Sequence, residues 1–166
     1  MAHDTKSIGI PGQVFGGFLA GFISTITFHQ VTLWVLWQIG FAPFAPYIFT
    51  AVAPLGIPAV VSLACWGGLW GVVFAITQKG FPRNAYWASA FVFGAILPSL
   101  VALLIVLPLK GKPMGGGWHW PLLVTAFLIN GAWGFGTAAI FQLLASKAKK
   151  AEPEAVKCIA EVSCDR

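Results

Sequence analysis

The stretch Pro58–Ala75 reads PAVVSLACWGGLWGVVFA, and the stretch Pro121–Ala138 reads PLLVTAFLINGAWGFGTA. Aligned 63 residues apart and without a gap, the two share the pattern P-x2-V-(S/T)-x5-G-x-W-G-x3-A. Both are apolar over about the length of a membrane span. Glycines spaced in this way are typical of helices that approach each other closely, so the pattern predicts two helices with the same packing surface.

The region around the first of these stretches carries no charge over a long distance. No Asp, Glu, Lys or Arg occurs between Lys6 and Lys79, a run of 72 residues. The whole chain of 166 residues is 58% hydrophobic and 9% charged, whereas soluble domains average about 25% charged residues. A soluble fold of this length would need a charged face, so the sequence predicts an all-α integral membrane protein.

Four apolar segments are long enough to cross a bilayer. They are predicted within a membrane domain of residues 1–146, and a charged cytoplasmic tail follows at residues 147–166. The predicted spans cover about residues 13–39, 58–77, 85–107 and 118–144. Together they predict a four-helix bundle.

Two proline-containing segments interrupt this regular pattern. Residues 40–57 contain three prolines and no charge, and we predict an interfacial loop with a short helix near Tyr47–Val52 rather than a re-entrant loop. Pro98 lies in the middle of the third span. It predicts a kink there, because the carbonyl of Gly94 loses its helical partner.

Both copies of the repeated pattern fall on spans that run in the same direction. Spans one and three also match, more weakly, at Phe18 and Phe91 and at Gly21 and Gly94. The sequence therefore predicts two parallel helix hairpins.

Lysine and arginine residues at the span ends predict the orientation. Lys110 and Lys112 lie at one end of the predicted bundle. The opposite end carries six basic residues: Lys6, Lys79, Arg83, Lys147, Lys149 and Lys150. Because the more basic side faces the cytoplasm, both termini are predicted to be cytoplasmic.

Small residues recur every three or four positions on all four predicted helices, which lets helix backbones approach closely in lipid. Four helices cannot enclose every such face. We therefore expect some faces to contact a partner in the lipid bilayer, either a second copy of the chain or another membrane subunit. The predicted packing positions are Gly17, Gly21, Gly68, Gly71, Gly131, Gly134, Trp70 and Trp133.

A neutral polar layer is predicted halfway across the membrane. His29 and Asn130 each lie about ten residues from the outer end of a span, which corresponds to a depth of about 15 Å. Pro98 and the freed carbonyl of Gly94 fall at the same level. These four positions form either a binding or permeation site or a set of interhelical hydrogen bonds.

Several classes of function are not predicted. The sequence has no carboxylate pair in a span, catalytic triad or phosphate-binding loop, so we expect no enzyme activity. No metal site is expected, since Cys158 and Cys164, six residues apart, match no common zinc or redox spacing. The basic residues form no arginine-rich patch, so nucleic acid is not an expected partner.

No cofactor is predicted either. Haem would need axial ligands from His29 and His119, but His119 sits at the membrane boundary between two tryptophans, about 15 Å shallower than His29. Trp70 and Trp133 are interpreted as packing residues rather than as walls of a pigment or quinone slot.

Four short motifs carry a resemblance to a known group of proteins. They are TFHQ at Thr27–Gln30, WGGLWG at Trp66–Gly71, PLKGKP at Pro108–Pro113 and NGAWGFGTA at Asn130–Ala138. With them, the chain resembles uncharacterised small four-helix inner-membrane proteins of proteobacteria over about residues 16–144. The resemblance implies a fold and a bacterial inner membrane as the compartment, and no activity or functional residue.

Two functional hypotheses follow. The first is a non-enzymatic membrane protein that acts by helix packing, as a homo-oligomer or as an accessory subunit of a larger membrane complex. The alternative is a small channel or facilitator for a neutral or weakly polar solute, with His29 and Asn130 at its constriction. A water-wide cavity reaching His29 would favour the channel, and a dry, packed core would favour the packing role.

Overall fold

Four long helices dominate the computed structural model, which describes residues 10–52 and 55–164, and the side chains of residues 10–52 and 55–147. Each of the four is long and apolar enough to cross a membrane. Their bounds are Ile10–Gln38, Ala59–Gly80, Arg83–Leu109 and Trp120–Lys147. The prediction of an all-α chain with four such helices is confirmed, and the first three helices begin and end within three residues of their predicted positions.

The fourth helix continues beyond the apolar segment. Its backbone forms one helix from Trp120 to Cys164, whereas the sequence predicted only a short tail helix around Glu154–Val162. The tail is rich in alanine, lysine and glutamate, which favour helix, and extending an existing helix avoids the cost of nucleating a new one. The side chains of the tail from residue 148 on, Cys158 and Cys164 among them, lie outside the described residues.

The first and second helices run antiparallel and cross at their glycines. A Cβ placed on Gly17 would lie 2.6 Å from the carbonyl oxygen of Gly71 and 2.7 Å from the Cβ of Ala75. A Cβ on Gly71 would lie 2.9 Å from the Cα of Gly21. Real Cβ atoms essentially never come this close to other heavy atoms, so this crossing requires glycine.

The third and fourth helices cross in the same way. A Cβ on Gly94 would lie 2.7 Å from the Cα of Gly134, and a Cβ on Gly134 would lie 2.9 Å from the Cα of Gly94. These two glycines take the places that Gly21 and Gly71 take in the first hairpin. The two crossings therefore correspond residue by residue.

A phenylalanine ring covers the glycine beside each crossing. The ring of Phe18 lies against Gly68, where a Cβ would come within 2.6 Å of it. The ring of Phe91 lies against Gly131 at the corresponding distance of 2.5 Å. At each crossing, one glycine therefore contacts the backbone of the neighbouring helix, and a second glycine contacts an aromatic ring.

Two hydrogen bonds join the first helix to the fourth. Ser24 Oγ donates to the carbonyl oxygen of Trp133 at 2.8 Å, and Trp133 Nε1 donates to the carbonyl oxygen of Gly21 at 3.0 Å. Trp133 is only 2% exposed. A buried indole N–H needs such an acceptor, and here the backbone of the other hairpin supplies it.

Aromatic rings fill the space between the second and third helices. The ring centroids of Phe74 and Phe93 lie 5.5 Å apart in an edge-to-face arrangement, and those of Trp70 and Phe93 lie 6.5 Å apart. Edge-to-face pairs of this kind add to the gain from burial. The two hairpins therefore meet through hydrogen bonds on one side and through rings on the other.

The first helix ends at Gln38, and Gly40, two residues later, has a φ of +70°, in the left-handed region that terminates helices. The backbone N–H groups of Phe41 and Ala42 both donate to the carbonyl oxygen of Leu36. These two hydrogen bonds to one carbonyl oxygen turn the chain back along the first helix.

Residues 41–52, here called the returning segment, lie alongside the first helix. The backbone N–H of Tyr47 donates to Oε1 of Gln30 at 2.6 Å, and the hydroxyl of Tyr47 donates to the carbonyl oxygen of Ile26 at 2.9 Å. Gln30 lies eight residues before the helix end at Gln38, a distance of about 12 Å. The segment therefore reaches deeper than the predicted interfacial loop implies.

The second helix starts at this depth and not at the level of Gln38. Its Gly67 packs against Gly21 and Thr25, and its first residue, Ala59, lies eight residues earlier, about 12 Å along the axis. Counting along the antiparallel first helix places Ala59 near the level of Gln30. The returning segment thus fills the space that further turns of the second helix would occupy.

The returning segment also supplies hydrogen-bond acceptors to the start of the second helix. Ala59 donates its N–H to the carbonyl oxygen of Thr50, and Val60 donates to that of Ile48, both at 3.0 Å. The preceding Pro58 offers no side-chain cap. Helix N-termini leave backbone donors unpaired, and in lipid only protein groups can pair them.

The predicted short helix near Tyr47–Val52 is wrong. Ala51–Val52 pairs instead as a two-residue strand with Ile57–Pro58, antiparallel. In a helix over this range, the carbonyl oxygen of Ile48 would accept a hydrogen bond from the N–H of Val52, four residues later. That carbonyl is already used by the second helix.

Two helices contain a π-helical segment, a wider turn that often marks a functional position. One is Thr25–His29 in the first helix, and the other is Ala102–Val106 in the third. The second segment follows Pro98 closely, and the N–H of Ala102 is shared between the carbonyls of Pro98 and Ser99. The irregularity near Pro98 therefore takes the form of a π segment.

Candidate functional site

The predicted polar layer divides into two separate groups in the structure. Asn130 Nδ2 donates to the hydroxyl of Ser99 at 3.0 Å, and Ser99 Oγ donates to the carbonyl oxygen of Ala126 at 3.1 Å. His29 instead pairs with Gln30 on its own helix. No hydrogen bond links His29 to Asn130 in the described part of the chain.

Gly94 and Pro98, the other two residues of the predicted layer, are both buried in the third helix. Gly94 forms the crossing with Gly134, and the backbone of the fourth helix fills the space beside its Cα. Asn130 and Ser99 therefore form an interhelical contact between the third and fourth helices, next to Pro98 in the chain.

All six glycines predicted as packing positions face another helix of the same chain. A Cβ added at any of them would come within 3.0 Å of a neighbouring heavy atom: Gly17, Gly21, Gly68, Gly71, Gly131 and Gly134. Their faces are thus occupied inside the bundle. These six positions are therefore not available to a partner outside the bundle.

The group around His29 is different, because it combines several unusual features. His29 is 6% exposed and Gln30 is 3% exposed, so both polar side chains are buried. Gln30 Nε2 lies 3.3 Å from Nδ1 of His29, while its Oε1 accepts from the backbone of Tyr47. His29 also ends the π segment Thr25–His29.

Tyr47, which closes this group, has a strained backbone. Its φ of +49° lies in the left-handed region, which is uncommon for a residue with a bulky side chain. Both its N–H and its hydroxyl bond to the first helix, so two hydrogen bonds hold the strained conformation. We regard His29, Gln30 and Tyr47 as the candidate functional site and call them the His29 cluster.

The sequence pointed to His29 but not to Gln30 or Tyr47. Gln30 directly follows His29, and Tyr47 lies in a proline-rich loop 17 residues later. The one sequence feature that could have identified Gln30 is its position directly after a histidine in a predicted span. The deep position of the loop was not readable, because it depends on where the second helix begins.

His119, the second histidine considered for haem, is exposed directly before the fourth helix. It lies eleven residues before Asn130 along the chain, about 16 Å if counted as helix. No group of three or more His, Cys, Asp or Glu side chains that could hold a metal occurs within the described residues.

An apolar groove runs along the outer face of the first hairpin. It has a volume of about 850 Å³ and lies between the beginning of the first helix and the second half of the second helix. Its lining consists of aliphatic and aromatic side chains and one proline: Ile10, Pro11, Val14, Phe15, Phe18, Leu69, Val72 and Val73. In a bilayer this groove would face lipid or a neighbouring helix.

Comparison of the chain with protein-family models, with curated proteins and with solved structures finds no match.

Proposed function

We propose that this chain is a non-enzymatic, multi-pass protein of the bacterial inner membrane that acts by helix packing, either with copies of itself or as an accessory subunit of a larger membrane complex. One observation carries the proposal. The centre of the bundle is filled by side chains, with Phe74 fully buried, Trp133 2% exposed and both hairpins in backbone contact at glycine.

The chemistry of the helices supports the same proposal. The 72 residues between Lys6 and Lys79 contain no acidic or basic side chain other than His29. Proton- or ion-coupled transport and most enzyme mechanisms need ionisable groups at a site. A packing role needs none.

The channel hypothesis has no observation in its favour. Its two constriction residues, His29 and Asn130, share no hydrogen bond and belong to separate groups. The amide nitrogen of Asn130 donates to Ser99, on the neighbouring helix.

The partner surface is proposed to be the apolar groove on the first hairpin, because the six glycines predicted as packing positions are already covered. Phe15 and Leu69, on its two walls, are 66% and 52% exposed. Rigid aromatic and aliphatic side chains around a concave surface are the usual anchors of a helix that docks in a groove.

Orientation and ancestry belong to the same proposal. Lys79, Arg83 and Lys147 lie at one end of the bundle and Lys110 and Lys112 at the other, which favours cytoplasmic termini. The matching crossings, with Gly21 and Gly71 in one hairpin and Gly94 and Gly134 in the other, support descent of both hairpins from a single duplicated hairpin.

Native electrophoresis and crosslinking of gently solubilised protein test the packing role. We expect a species larger than the monomer, with crosslinks from the groove. Leu69→Trp should fill the groove and release the partner. Leu128→Trp, at a position 38% exposed on the fourth helix, is the matched control and should leave the assembly intact. A monomer with no crosslinked partner would contradict the proposal.

A further inference from the structure

The His29 cluster fixes which atoms of its side chains are donors and which are acceptors. The backbone N–H of Tyr47 can only donate, so the Gln30 atom that it meets must be the amide oxygen. The other end of the Gln30 amide is then the NH2 group, and this end faces Nδ1 of His29 at 3.3 Å. The orientation of Gln30 follows from the backbone and needs no assumption about the histidine.

A donor facing Nδ1 requires a lone pair on Nδ1. His29 is therefore a neutral imidazole whose proton sits on Nε2, since an N–H on Nδ1 would place two donors against each other. The same arrangement argues against haem or metal ligation by His29. Ligation through Nε2 needs a lone pair there, and ligating histidines donate their other N–H to an acceptor, whereas Gln30 presents a donor.

Nε2–H is thus a hydrogen-bond donor inside the apolar part of the bundle. No partner for it occurs among the described residues. The only fully buried polar side-chain atoms without a partner in that part of the chain are the hydroxyls of Thr125 and Thr137, so Nε2 is not sealed off completely. Buried donors are almost always paired, and an unpaired one inside a membrane calls for an external acceptor.

We propose that the His29 cluster is a binding site for a neutral, membrane-soluble molecule that offers a carbonyl oxygen to Nε2–H of His29. The ligand has to be neutral because the spans around the site contain no Asp, Glu, Lys or Arg, so a buried charge would have no counter-ion. It has to be an acceptor because the site offers a donor.

The returning segment fixes the orientation of Gln30 in the site. Tyr47 is held next to Gln30, and its strained backbone is kept in place by two hydrogen bonds. Strain of this kind persists where the surrounding structure holds a particular geometry. A quinone headgroup and the ester carbonyl of a glycerolipid share the required chemistry, and the test distinguishes them.

The first measurement is nitrogen NMR of ¹⁵N-histidine-labelled protein in lipid nanodiscs. His29→Phe and His119→Phe assign the signals. We expect His29 as the neutral tautomer with its proton on Nε2. A proton on Nδ1, or a charged imidazole at neutral pH, would overturn the proposal without any ligand being added.

The second measurement compares ligands on the same sample. Decylubiquinone is titrated into nanodiscs made of ester-linked or of ether-linked phosphatidylcholine. A saturable change at His29 Nε2 supports a free quinone-type ligand, and a difference between the two lipids without quinone supports the lipid ester. If the His29 signal responds to neither, the site does not bind carbonyl ligands and the proposal fails.

Variants connect the signal to affinity. Loss of one neutral hydrogen bond should raise the half-saturating concentration of decylubiquinone about fivefold in His29→Phe, read by quenching of tryptophan fluorescence. His119→Phe removes a histidine outside the site and should bind as the unaltered chain does. Equal affinity of all three proteins would overturn the assignment of a quinone-type ligand to His29, even if the tautomer is as expected.

Discussion

Single glycines decide how closely the helices approach, and they differ sharply in what a methyl group would meet. At Gly71 a Cβ would lie 2.9 Å from the Cα of Gly21, which is backbone and cannot rotate away. At Gly80 nothing lies within 4 Å. The same substitution therefore has opposite consequences at two positions on one helix.

We predict that Gly71→Ala and Gly134→Ala each lower the free energy of unfolding by about 1–3 kcal/mol, because the helices of a hairpin must separate to admit the methyl group. Gly80→Ala is the control and should change stability by less than about 0.5 kcal/mol or raise it slightly. Equilibrium unfolding in mixed detergent micelles measures all three. Equal effects at Gly71 and Gly80 would contradict the close crossing.

Two threonines on the fourth helix are buried with no partner for their hydroxyls. Thr125 and Thr137 are fully buried, and neither hydroxyl forms a hydrogen bond. Valine has nearly the same shape without the hydroxyl. Thr125→Val and Thr137→Val should therefore raise the free energy of unfolding by about 1 kcal/mol.

Thr25→Val serves as the comparison in the same unfolding assay. Thr25 Oγ1 donates to the carbonyl oxygen of Gly21 at 2.8 Å, so valine removes a bond there. It should be neutral or destabilising by about 0.6 kcal/mol, the average for such bonds in membranes. A loss of stability in Thr125→Val as large as in Thr25→Val would show that Thr125 has a partner after all.

At the scale of an element, the returning segment replaces turns that the second helix lacks. Its depth rests on the two bonds from Tyr47 to the first helix, and its carbonyls at Ile48 and Thr50 pair the first donors of the second helix. Loosening the segment should therefore also loosen the start of that helix.

We predict slow backbone hydrogen exchange at Tyr47 and Val60, and faster exchange at both in Gln30→Leu. The leucine leaves the N–H of Tyr47 without an acceptor, at a cost of about 1–3 kcal/mol. Gln38→Leu, at the exposed end of the same helix, is the control and should leave both amides protected. Exchange at Tyr47 as fast as in a free loop would show that the segment lies at the surface.

The elements differ in how far the sequence predicts them. The four helices follow from local composition, because an apolar run of sufficient length has few alternatives in a bilayer. The helix predicted near Tyr47–Val52 was wrong because local propensity contains no information about carbonyls that a later helix uses. Ser24 and Trp133 are 109 residues apart, and their bond depends on which helices become neighbours.

The candidate site was predictable to the same limited extent. His29 stood out as an ionisable group within a charge-free span. Its association with Gln30 and Tyr47, and its separation from Asn130, depend on side-chain orientation and on the start of the second helix. Helical periodicity does not contain either piece of information.

At the scale of the whole molecule, the two hairpins are joined by hydrogen bonds and apolar packing between the first and fourth helices and by aromatic rings between the second and third. Trp133 contributes both a ring in the core and the hydrogen bond to Gly21. The chain passes from one hairpin to the other through only Phe81 and Pro82, between the helix ends at Gly80 and Arg83. The two hairpins should therefore stay associated even when the residues that connect them are cut.

We predict that two fragments divided between Phe81 and Pro82, expressed together, assemble and copurify. Trp133→Leu should weaken the association of the hairpins by about 2 kcal/mol, through the lost hydrogen bond and the smaller side chain, and reduce copurification severalfold. Trp66→Leu, at a tryptophan that is 62% exposed, is the control and should copurify as before. Fragments that never associate would show that the covalent connection at Phe81 and Pro82 is needed to hold the hairpins together.

The position of the returning segment also constrains the order of events during biosynthesis. The segment leaves the ribosome before the second helix, yet its carbonyls at Ile48 and Thr50 find their donors only in Ala59 and Val60. Until those residues emerge and enter the bilayer, the segment exposes unpaired backbone that lipid cannot accommodate. The translocation machinery must therefore hold the first helix and this segment until the second helix arrives, so the first hairpin enters the membrane as one unit.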